Sequence, residues 1–193
     1  YDATDADTDT SATSGSCTDG STDAGDFTAS TVDGNTCRIA FTNAEDYESP
    51  DDSGGNNVYD VTLIVNDGQA SDTLTLTITI TDANDIAPEW DDADDTVAVS
   101  VAEGTTTVGD YDATDGDTLT SATSGSCTDG STDAADFTAS TVDGNTCRIA
   151  FTNTPDYENA ADADTNNIYI VTLIVNDGVA TDTLTMTVTV TDL

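Results

Sequence analysis

The segment Asp82-Ala83-Asn84-Asp85 places three oxygen-bearing side chains within four positions, directly after a strand-like run and three residues before Pro88. Carboxylates, amides and backbone carbonyls are hard oxygen donors, and Ca²⁺ takes about six to eight of them. A single aspartate at a strand end is usually a turn residue, but oxygen ligands crowded this tightly suit a hard cation. We therefore predict that calcium binds at this segment.

The charge of the chain narrows its possible partners. It has 39 acidic residues, two basic residues and no histidine, giving a net charge of −37. Nucleic acid is excluded as a partner because almost nothing is present to neutralise its phosphates, and anionic membrane surfaces are disfavoured for the same reason. No apolar run approaches the ~20 residues that span a bilayer, so we expect no membrane insertion. Repulsion between the carboxylates favours bound counter-ions or high ionic strength.

The sequence repeats itself. A shift of 110 residues aligns Tyr1 with Tyr111 without a gap, and 64 of the 83 aligned positions are identical. The chain therefore contains one full repeat preceded by a repeat that lacks the equivalent of residues 84–110. We expect domains at 1–86 and 87–193, within a longer protein.

Alternation of apolar and polar residues predicts β-strands. Thr73–Thr81 alternates threonine with aliphatic residues, Val58–Val65 is a second such run, and Asn66-Asp67-Gly68 between them indicates a hairpin. Further strands are expected at Asp95–Ala102, Thr118–Cys127, Asp136–Ser140 and Thr146–Thr152. Recurrence of these runs argues against the disorder that an acidic, Ser- and Gly-rich composition would otherwise favour. We predict an all-β fold of tandem seven-stranded Greek-key β-sandwiches, immunoglobulin-like, the first lacking its N-terminal strand.

Four cysteines permit three disulfide pairings. Because the repeats are nearly identical, pairing within each repeat is favoured, as Cys17–Cys37 and Cys127–Cys147. The alternative, a metal or redox site, is disfavoured by the spacing and by the lack of histidine. Disulfides indicate an oxidising, extracellular location.

Five short motifs follow one another in a fixed order within the repeat. They are Val101-Ala102-Glu103-Gly104, Asp112–Asp117, Asp46-Tyr47-Glu48 (repeated at Asp156–Glu158), Asn66-Asp67-Gly68 (repeated at Asn176–Gly178) and the linker Asp82–Trp90. They resemble the cadherin motifs x-E-x, A-x-D-x-D, D-R/Y-E, A-x-D-G and D-x-N-D-x-A-P-x-F, with Trp90 at the last aromatic position. The ordered set covers essentially the whole chain. The chain thus resembles a pair of tandem cadherin-type repeats from a bacterial or archaeal extracellular protein.

The resemblance implies a set of calcium ligands at the junction between the repeats, with Ala83 and Ile86 acting through their carbonyls. The set is Asp46, Glu48, Asp82, Ala83, Asn84, Asp85, Ile86, Asp115, Asp117 and Asp177. It also implies half-sites for the neighbouring junctions: Asp5, Asp7 and Asp67 on one side, and Glu103, Asp156, Glu158 and Asp192 on the other. The glutamate of the x-E-x motif is missing from the first repeat, which should weaken the binding of one calcium ion at the junction.

Neither a different calcium motif nor an active site accounts well for the acidic residues. Asp91, Asp92, Asp94 and Asp95 are expected to form a solvated turn. An EF-hand loop starting at Asp5 is excluded because Thr10 replaces the required glycine and Ser16 the required glutamate. Without histidine there is no Ser-His-Asp arrangement. Carboxylate pairs of the glycosidase type abound, but the only tryptophan belongs to the linker motif, so we predict no enzymatic activity.

The resemblance implies a calcium-rigidified structural repeat of an extracellular stalk, adhesin or fibre. Its partners would be like repeats in the same chain. The missing strand also predicts a head-to-tail homopolymer, in which a strand from a neighbouring chain completes the first sandwich. The alternative is an adhesive binding module that recognises like chains, a host glycan or a host protein.

Overall fold

The chain is built from β-strands, as the sequence predicts. The computed structural model describes residues 1–6, 11–13, 16–92, 94–118, 120–123, 125–130 and 133–193. Unit 1 comprises Tyr1–Asp82 and unit 2 comprises Ala83–Leu193. Helical structure in these described ranges is limited to two single 3-10 turns, Ala134–Asp136 and Tyr157–Asn159. Among the described residues, no helix is long and apolar enough to cross a membrane.

Unit 2 is a sandwich of two four-stranded sheets. Its strands are β6 (Glu89–Trp90), β7 (Thr96–Ala102), β8 (Thr107–Thr114), β9 (Ser126–Asp129), β10 (Phe137–Thr141), β11 (Thr146–Phe151), β12 (Ile168–Asn176) and β13 (Thr181–Thr191). One sheet has the order β10-β11-β8-β6 and the other the order β7-β13-β12-β9. β7 runs parallel to β13, whereas the other pairs are antiparallel. The two short leading strands β6 and β7 thus give one edge strand to each sheet.

Unit 1 contains the later strands of the same arrangement. They are β1 (Ser16–Asp19), β2 (Phe27–Thr31), β3 (Cys37–Phe41), β4 (Val58–Asn66) and β5 (Ser71–Thr79). They form a three-stranded sheet, β1-β4-β5, and a two-stranded sheet, β2-β3. Within the described part of residues 1–82, unit 1 has no counterpart of β6 or β7, as the repeat alignment predicts.

The alternating pattern of β13 explains its burial. Leu184, Met186, Val188 and Val190 point into the core and are at most 1% exposed. The threonines between them face away from the core, since successive side chains in a strand point to opposite faces. The same period of two in β12 buries Val171 and its alternate neighbours. This core holds β12 and β13 together and fixes the positions of the loops that follow β8 and β12.

The predicted hairpin and disulfides are confirmed. Gly68 and Gly178 have φ of 95° and 106°, a left-handed conformation that glycine adopts readily, and β4 and β5 pair on either side of the first turn. Cys17–Cys37 and Cys127–Cys147 are bonded, with Cα–Cα distances of 5.9 and 5.8 Å. Each bond joins a strand of one sheet to a strand of the other. In the chain-entropy model a loop of this length gives about 3 kcal/mol of stabilisation.

One predicted strand is wrong, and two strands, β6 and β8, were missed. The described residues of 118–125 lie outside strands, and β9 begins only at Ser126. The apolar positions here belong to a loop: Ala122 and Thr123 are buried, and the Thr123 hydroxyl donates to the carbonyl of Asp143 at 2.6 Å. Strand β8 was not predicted because Gly109 and two aspartates interrupt its alternation.

Candidate metal centre

Three carboxylates converge in unit 2. Asp115, Asp117 and Asp177 each place one carboxylate oxygen within 4.8 Å of the other two. Asp117 and Asp177 are only 4% and 3% exposed, and Asp115 is half-buried. Burying several carboxylates without a cation is costly. All three were predicted from the sequence as calcium ligands.

The backbone of two loops fixes these side chains. Asp115 and Asp117 follow the end of β8, and Asp177 follows the end of β12. The Asp115 Oδ1 atom accepts a hydrogen bond from the amide of Asp117 at 3.0 Å, and the Asp177 Oδ1 atom accepts from the amides of Val179 and Ala180 at 2.7 and 2.6 Å. Asp115 Oδ2 and Asp117 Oδ1 are buried and have no hydrogen-bond partner. These two oxygens are therefore available to a cation.

The linker segment packs against this cluster. The amide of Ile86 donates to Asp117 Oδ2 at 3.2 Å, and the Asn84 amide nitrogen donates to the carbonyl of Asp177 at 3.3 Å. The Asn84 Oδ1 atom is buried without a hydrogen-bond partner, which adds a third oxygen donor. A Cβ at Gly116 would lie 2.8 Å from Ile86 Cδ1, so glycine at this position permits the close approach of the linker.

Repulsion among the carboxylates of the cluster favours a positive charge beside them. Burial, and then the charges of Asp117 and Asp177, raise the pKa of Asp115 above its ordinary value, against the lowering effect of the Asp117 amide. No basic side chain of unit 2 serves the cluster, because its one arginine, Arg148, is bound to Asp110 at 2.7 Å on the exposed surface of β8 and β11. Carboxylate and amide oxygens without nitrogen or sulfur donors are the set that Ca²⁺ prefers. The residues therefore fit a calcium ion.

The predicted ligands of unit 1 are partly brought together. Glu48 and Asp82 place carboxylate oxygens within 4.8 Å of each other. Asp46 is exposed, and its Oδ1 atom accepts a hydrogen bond from the amide of Glu48 at 3.1 Å. Asp46 thus orders the turn that holds Glu48.

Some predicted linker ligands remain predictions. Asp85 is exposed and belongs to none of the three-residue acidic groups found among the described residues. Ala83 is exposed as well, and Ile86 is 37% exposed. The roles of the Ala83 and Ile86 carbonyls therefore stay predictions.

The half-site predicted for a following repeat is largely assembled. Glu103, Asp156 and Glu158 bring carboxylate oxygens within 4.8 Å of one another. Glu103 Oε2 accepts a hydrogen bond from the amide of Tyr157, and Oε1 accepts from the amide of Leu193, both at 3.1 Å. These two amides lower the pKa of Glu103 and favour its ionised form. The predicted Asp192 lies beside Leu193 and is exposed.

The half-site predicted for a preceding repeat is described only in part. Asp67 Oδ1 accepts hydrogen bonds from the amides of Gln69 and Ala70 at 2.7 and 2.6 Å, and these amides lower the pKa of Asp67. Asp5 interacts with Asp67 and is half-buried. Asp7 lies outside the described residues.

Sequence reasoning missed Asp182, which positions the residues after the linker. The Asp182 Oδ2 atom accepts a hydrogen bond from the amide of Trp90 at 3.1 Å. Trp90 is 3% exposed and belongs to the core of unit 2. The only sequence signal was the recurrence of this aspartate at Asp72, a position that belongs to none of the five motifs.

Solved structures with a similar fold are cadherin ectodomains. The human desmocollin-1 ectodomain aligns with 97% of this chain at TM-score 0.66 and 18% identity, over 36% of its own length. Human protocadherin-24 EC1-2 aligns with 92% at TM-score 0.65 and 17% identity, over 81% of its length. Mouse cadherin-23 EC22-24 aligns with 92% at TM-score 0.61 and 18% identity, and the chain spans about half (53%) of it. The sequence matches no protein-family model and no curated protein. The fold is therefore a cadherin-type β-sandwich, and these similarities extend to the fold alone.

Proposed function

We propose that this chain is a pair of tandem cadherin-like repeats, 1–86 and 87–193, from an extracellular structural protein that calcium stiffens. The observation that carries the proposal is the group formed by Asp115, Asp117, Asp177 and Asn84. The Asp117 and Asp177 carboxylates are buried, that of Asp115 is half-buried, and backbone amides hold all three in fixed positions. Such a set of oxygen donors suits a hard cation.

Each residue of the group has a defined part in this proposal. Bound calcium would supply the positive charge that offsets the repulsion among the carboxylates. Asp115 and Asp177 use one oxygen to order their own loop, and the second oxygen of Asp115 is available to the ion. Asp117 and Asn84 tie the linker to the same loops through their hydrogen bonds with Ile86 and the Asp177 carbonyl. The linker therefore becomes rigid when the ion is bound.

The proposal includes further ligands on the strength of the sequence resemblance. They are Asp46, Glu48, Asp82 and Asp85, with the carbonyls of Ala83 and Ile86. In the same way Glu103, Asp156, Glu158 and Asp192 would serve the junction with a following repeat, and Asp5, Asp7 and Asp67 the junction with a preceding one. An array built on this plan is stabilised mainly by contacts between nearest neighbours.

The role we propose is mechanical rather than catalytic. The protein would serve as a stalk, an adhesin segment or a fibre at a cell surface, and its partners would be like repeats, either in the same chain or in a strand-complemented homopolymer. The two buried disulfides support an oxidising, extracellular location.

Thermal unfolding of the full chain in calcium and in chelator, at equal ionic strength, tests the calcium site. A ligand that binds only the folded state at a hundred times its Kd stabilises by about 2.7 kcal/mol. We expect a rise in the unfolding midpoint with calcium, and small-angle scattering on the same samples should report a more extended and less variable particle. Equal unfolding curves in calcium and in chelator would contradict the proposal.

A matched pair of variants assigns the effect to the buried cluster. Asp117→Asn replaces a buried carboxylate of the cluster with a neutral amide, whereas Asp91→Asn removes an equal charge from the exposed turn after β6. We expect Asp117→Asn to lose most of the calcium-dependent rise and Asp91→Asn to keep it. Equal losses in both variants would mean that calcium acts by screening the net charge of −37.

A further inference from the structure

We infer that two asparagines, Asn57 in unit 1 and Asn167 in unit 2, are positioning residues that hold the Asp-Tyr-Glu turns at 46–48 and 156–158 in the shape that a cation needs. The Asn57 Nδ2 atom donates a hydrogen bond to the carbonyl of Tyr47 at 2.8 Å, and the Asn167 Nδ2 atom donates to the carbonyl of Tyr157 at 2.9 Å. Each tyrosine lies between the two acidic residues of its turn. The positioning itself needs no ion, and only its consequence rests on the proposed calcium sites.

The sequence around these turns supports the inference, because the two repeats differ most in this segment. Of the 15 positions from 44 to 58, only six are identical to residues 154–168, whereas 58 of the other 68 aligned positions are identical. The six are the three residues of the turn, Asp52, and the pair Asn56-Asn57. The asparagines are thus retained where their surroundings have changed, and they belong to none of the five motifs.

Two backbone hydrogen bonds fix Asn167 itself. Its amide donates to Asp162 Oδ1 at 3.1 Å, and its carbonyl accepts from the amide of Val190 at 2.9 Å. Asp162 is 4% exposed, and Val190 is a core residue near the end of β13. The counterpart in unit 1 makes the equivalent bonds, at 2.8 and 3.0 Å. Each asparagine therefore connects its turn to the core of its own unit.

In unit 2 the backbone of Tyr157 is held from both sides. Its amide donates to Glu103 Oε2 at 3.1 Å, while its carbonyl accepts from Asn167. Glu103 is bonded to the same strand as Asn167, since its amide donates to the carbonyl of Thr191 at 2.9 Å. Glu103 and the two acids of the turn bring carboxylate oxygens within 4.8 Å of one another. Because like charges at this separation repel, the bond from Asn167 is needed to keep the turn from opening.

Asparagine is the residue type that meets both demands of the position. The backbone φ is 62° at Asn57 and 63° at Asn167, a left-handed conformation that glycine and asparagine adopt readily. Glycine has no side chain to donate, and aspartate would place an oxygen against the tyrosine carbonyl. The Oδ1 atom of each asparagine is buried without a hydrogen-bond partner, so the Nδ2 donor is the part of the side chain that acts.

Matched variants of the full chain test the positioning in chelator. Asn167→Gly keeps the left-handed backbone and removes the donor, whereas Asn166→Ala removes a neighbouring side chain whose hydrogen bonds are with Asp164 and Ile168. We expect the NMR order parameter of the Tyr157 amide to fall from about 0.85 toward ~0.6 in Asn167→Gly and to stay unchanged in Asn166→Ala. The equivalent turn in unit 1 is the internal reference for both variants.

Asn167→Asp separates the donor from the shape of the side chain. It keeps the size and the backbone preference but replaces the Nδ2 donor with an oxygen, so we expect at least the loss of order that Asn167→Gly produces. Unchanged order at Tyr157 in either of these two variants would overturn the inference. Thermal unfolding of each variant, compared with Asn166→Ala, checks that unit 2 remains folded.

The same exchange in unit 1 gives an independent measurement and connects the positioning to calcium. Asn57→Gly should loosen Tyr47 in chelator and weaken calcium binding, measured by titration calorimetry, by about tenfold, the low end of the effect of removing a partner that orients a metal ligand. Asn56→Ala should leave both unchanged. Looser Tyr47 with unaltered calcium affinity would overturn the role in ion binding. A chain that binds no calcium at all would contradict the proposed function, and the order parameters in chelator would still decide whether the asparagines position the turns.

Discussion

Strands β5 and β13 have nearly the same sequence and very different surroundings. Where they differ, the changes are conservative, such as Leu76 against Met186 and Ile78 against Val188. Yet β5 contains no buried residue, whereas β13 contains four. The difference follows from the neighbours: β13 lies between β7 and β12, whereas β5 is an edge strand. An alternating sequence therefore fixes which side chains face inward, but the adjacent strand decides how completely they are buried.

A second difference between the units lies at one tyrosine hydroxyl. In unit 1 the Tyr59 hydroxyl lies within hydrogen-bond distance of carboxylate oxygens of both Glu45 and Asp51. The Tyr59 hydroxyl lowers the pKa of Glu45, but burial and Asp51 outweigh it, so the net shift is upward. In unit 2 proline and alanine replace the two acids, and the Tyr169 hydroxyl accepts a hydrogen bond from the amide of Ala161 at 3.2 Å. The acidic arrangement is thus specific to unit 1.

Truncating the equivalent leucines Leu74 and Leu184 should give the largest contrast in stability between the units. Leu184→Ala removes a side chain that is 1% exposed and leaves a cavity beside Trp90, so we expect unit 2 to lose about 2–5 kcal/mol. Leu74→Ala removes a side chain that is 43% exposed, so unit 1 should lose less than about 1 kcal/mol. Native-state hydrogen exchange of amides in β4 and β12 measures the two units separately.

The result of that pair also bears on the edge of unit 1. Equal losses at Leu74 and Leu184 would mean that in solution another strand already covers β5. A variant with the sequence of residues 84–110 placed directly before Tyr1 provides the control, since the added strand should make Leu74→Ala as costly as Leu184→Ala.

Removing the two tyrosine hydroxyls should give a smaller contrast. Tyr59→Phe deletes a hydrogen bond to a charged acceptor and leaves two carboxylates facing each other, so we expect a loss of about 1.5–3 kcal/mol in unit 1. Tyr169→Phe leaves the Ala161 amide to water, and we expect about 0.5–1 kcal/mol. Hydrogen exchange in the strands of each unit reports the loss.

The rings themselves act as a built-in control for this comparison. The ring centroid of Tyr59 lies 5.5 and 5.3 Å from those of Phe27 and Phe41. The ring centroid of Tyr169 lies 5.5 and 5.2 Å from those of the corresponding phenylalanines. Because both rings pack alike, a difference between the variants comes from the hydroxyl. Equal losses would show that the carboxylates around Tyr59 add nothing to its hydrogen bonding.

Local patterns predicted much of this molecule. Alternation placed β4, β5 and β7, and the repeat argument paired the cysteines correctly. Motif spacing selected Asp115, Asp117 and Asp177, which the structure brings together at the ends of β8 and β12. The strands and disulfides were predictable because each depends on residues and spacing that are explicit in the sequence, whereas calcium binding by the three aspartates stays a prediction.

Other features depend on contacts between distant segments and were not predictable. Strand β8 lacks clear alternation, and it forms because β6 and β11 pair with it on either side. The role of Asp182 depends on Trp90, which is 92 residues away. The position of Tyr1–Thr4 beside β5 likewise depends on residues about 70 positions apart in the sequence.

The smallest contrast concerns one turn with a left-handed backbone. Gly55 and its counterpart Thr165 have φ of 60° and 56°, and a Cβ at Gly55 would meet no atom within 4 Å. The cost of threonine here is therefore in the backbone, since β-branched residues rarely adopt positive φ. We expect Gly55→Thr to destabilise unit 1 by about 1 kcal/mol and Thr165→Gly to stabilise unit 2 by up to about 1 kcal/mol. Gly25→Ala, which copies Ala135 at a residue without positive φ, should instead stabilise by up to ~1 kcal/mol. Unfolding midpoints that move the same way for Gly55→Thr and Gly25→Ala would contradict this account of the turn.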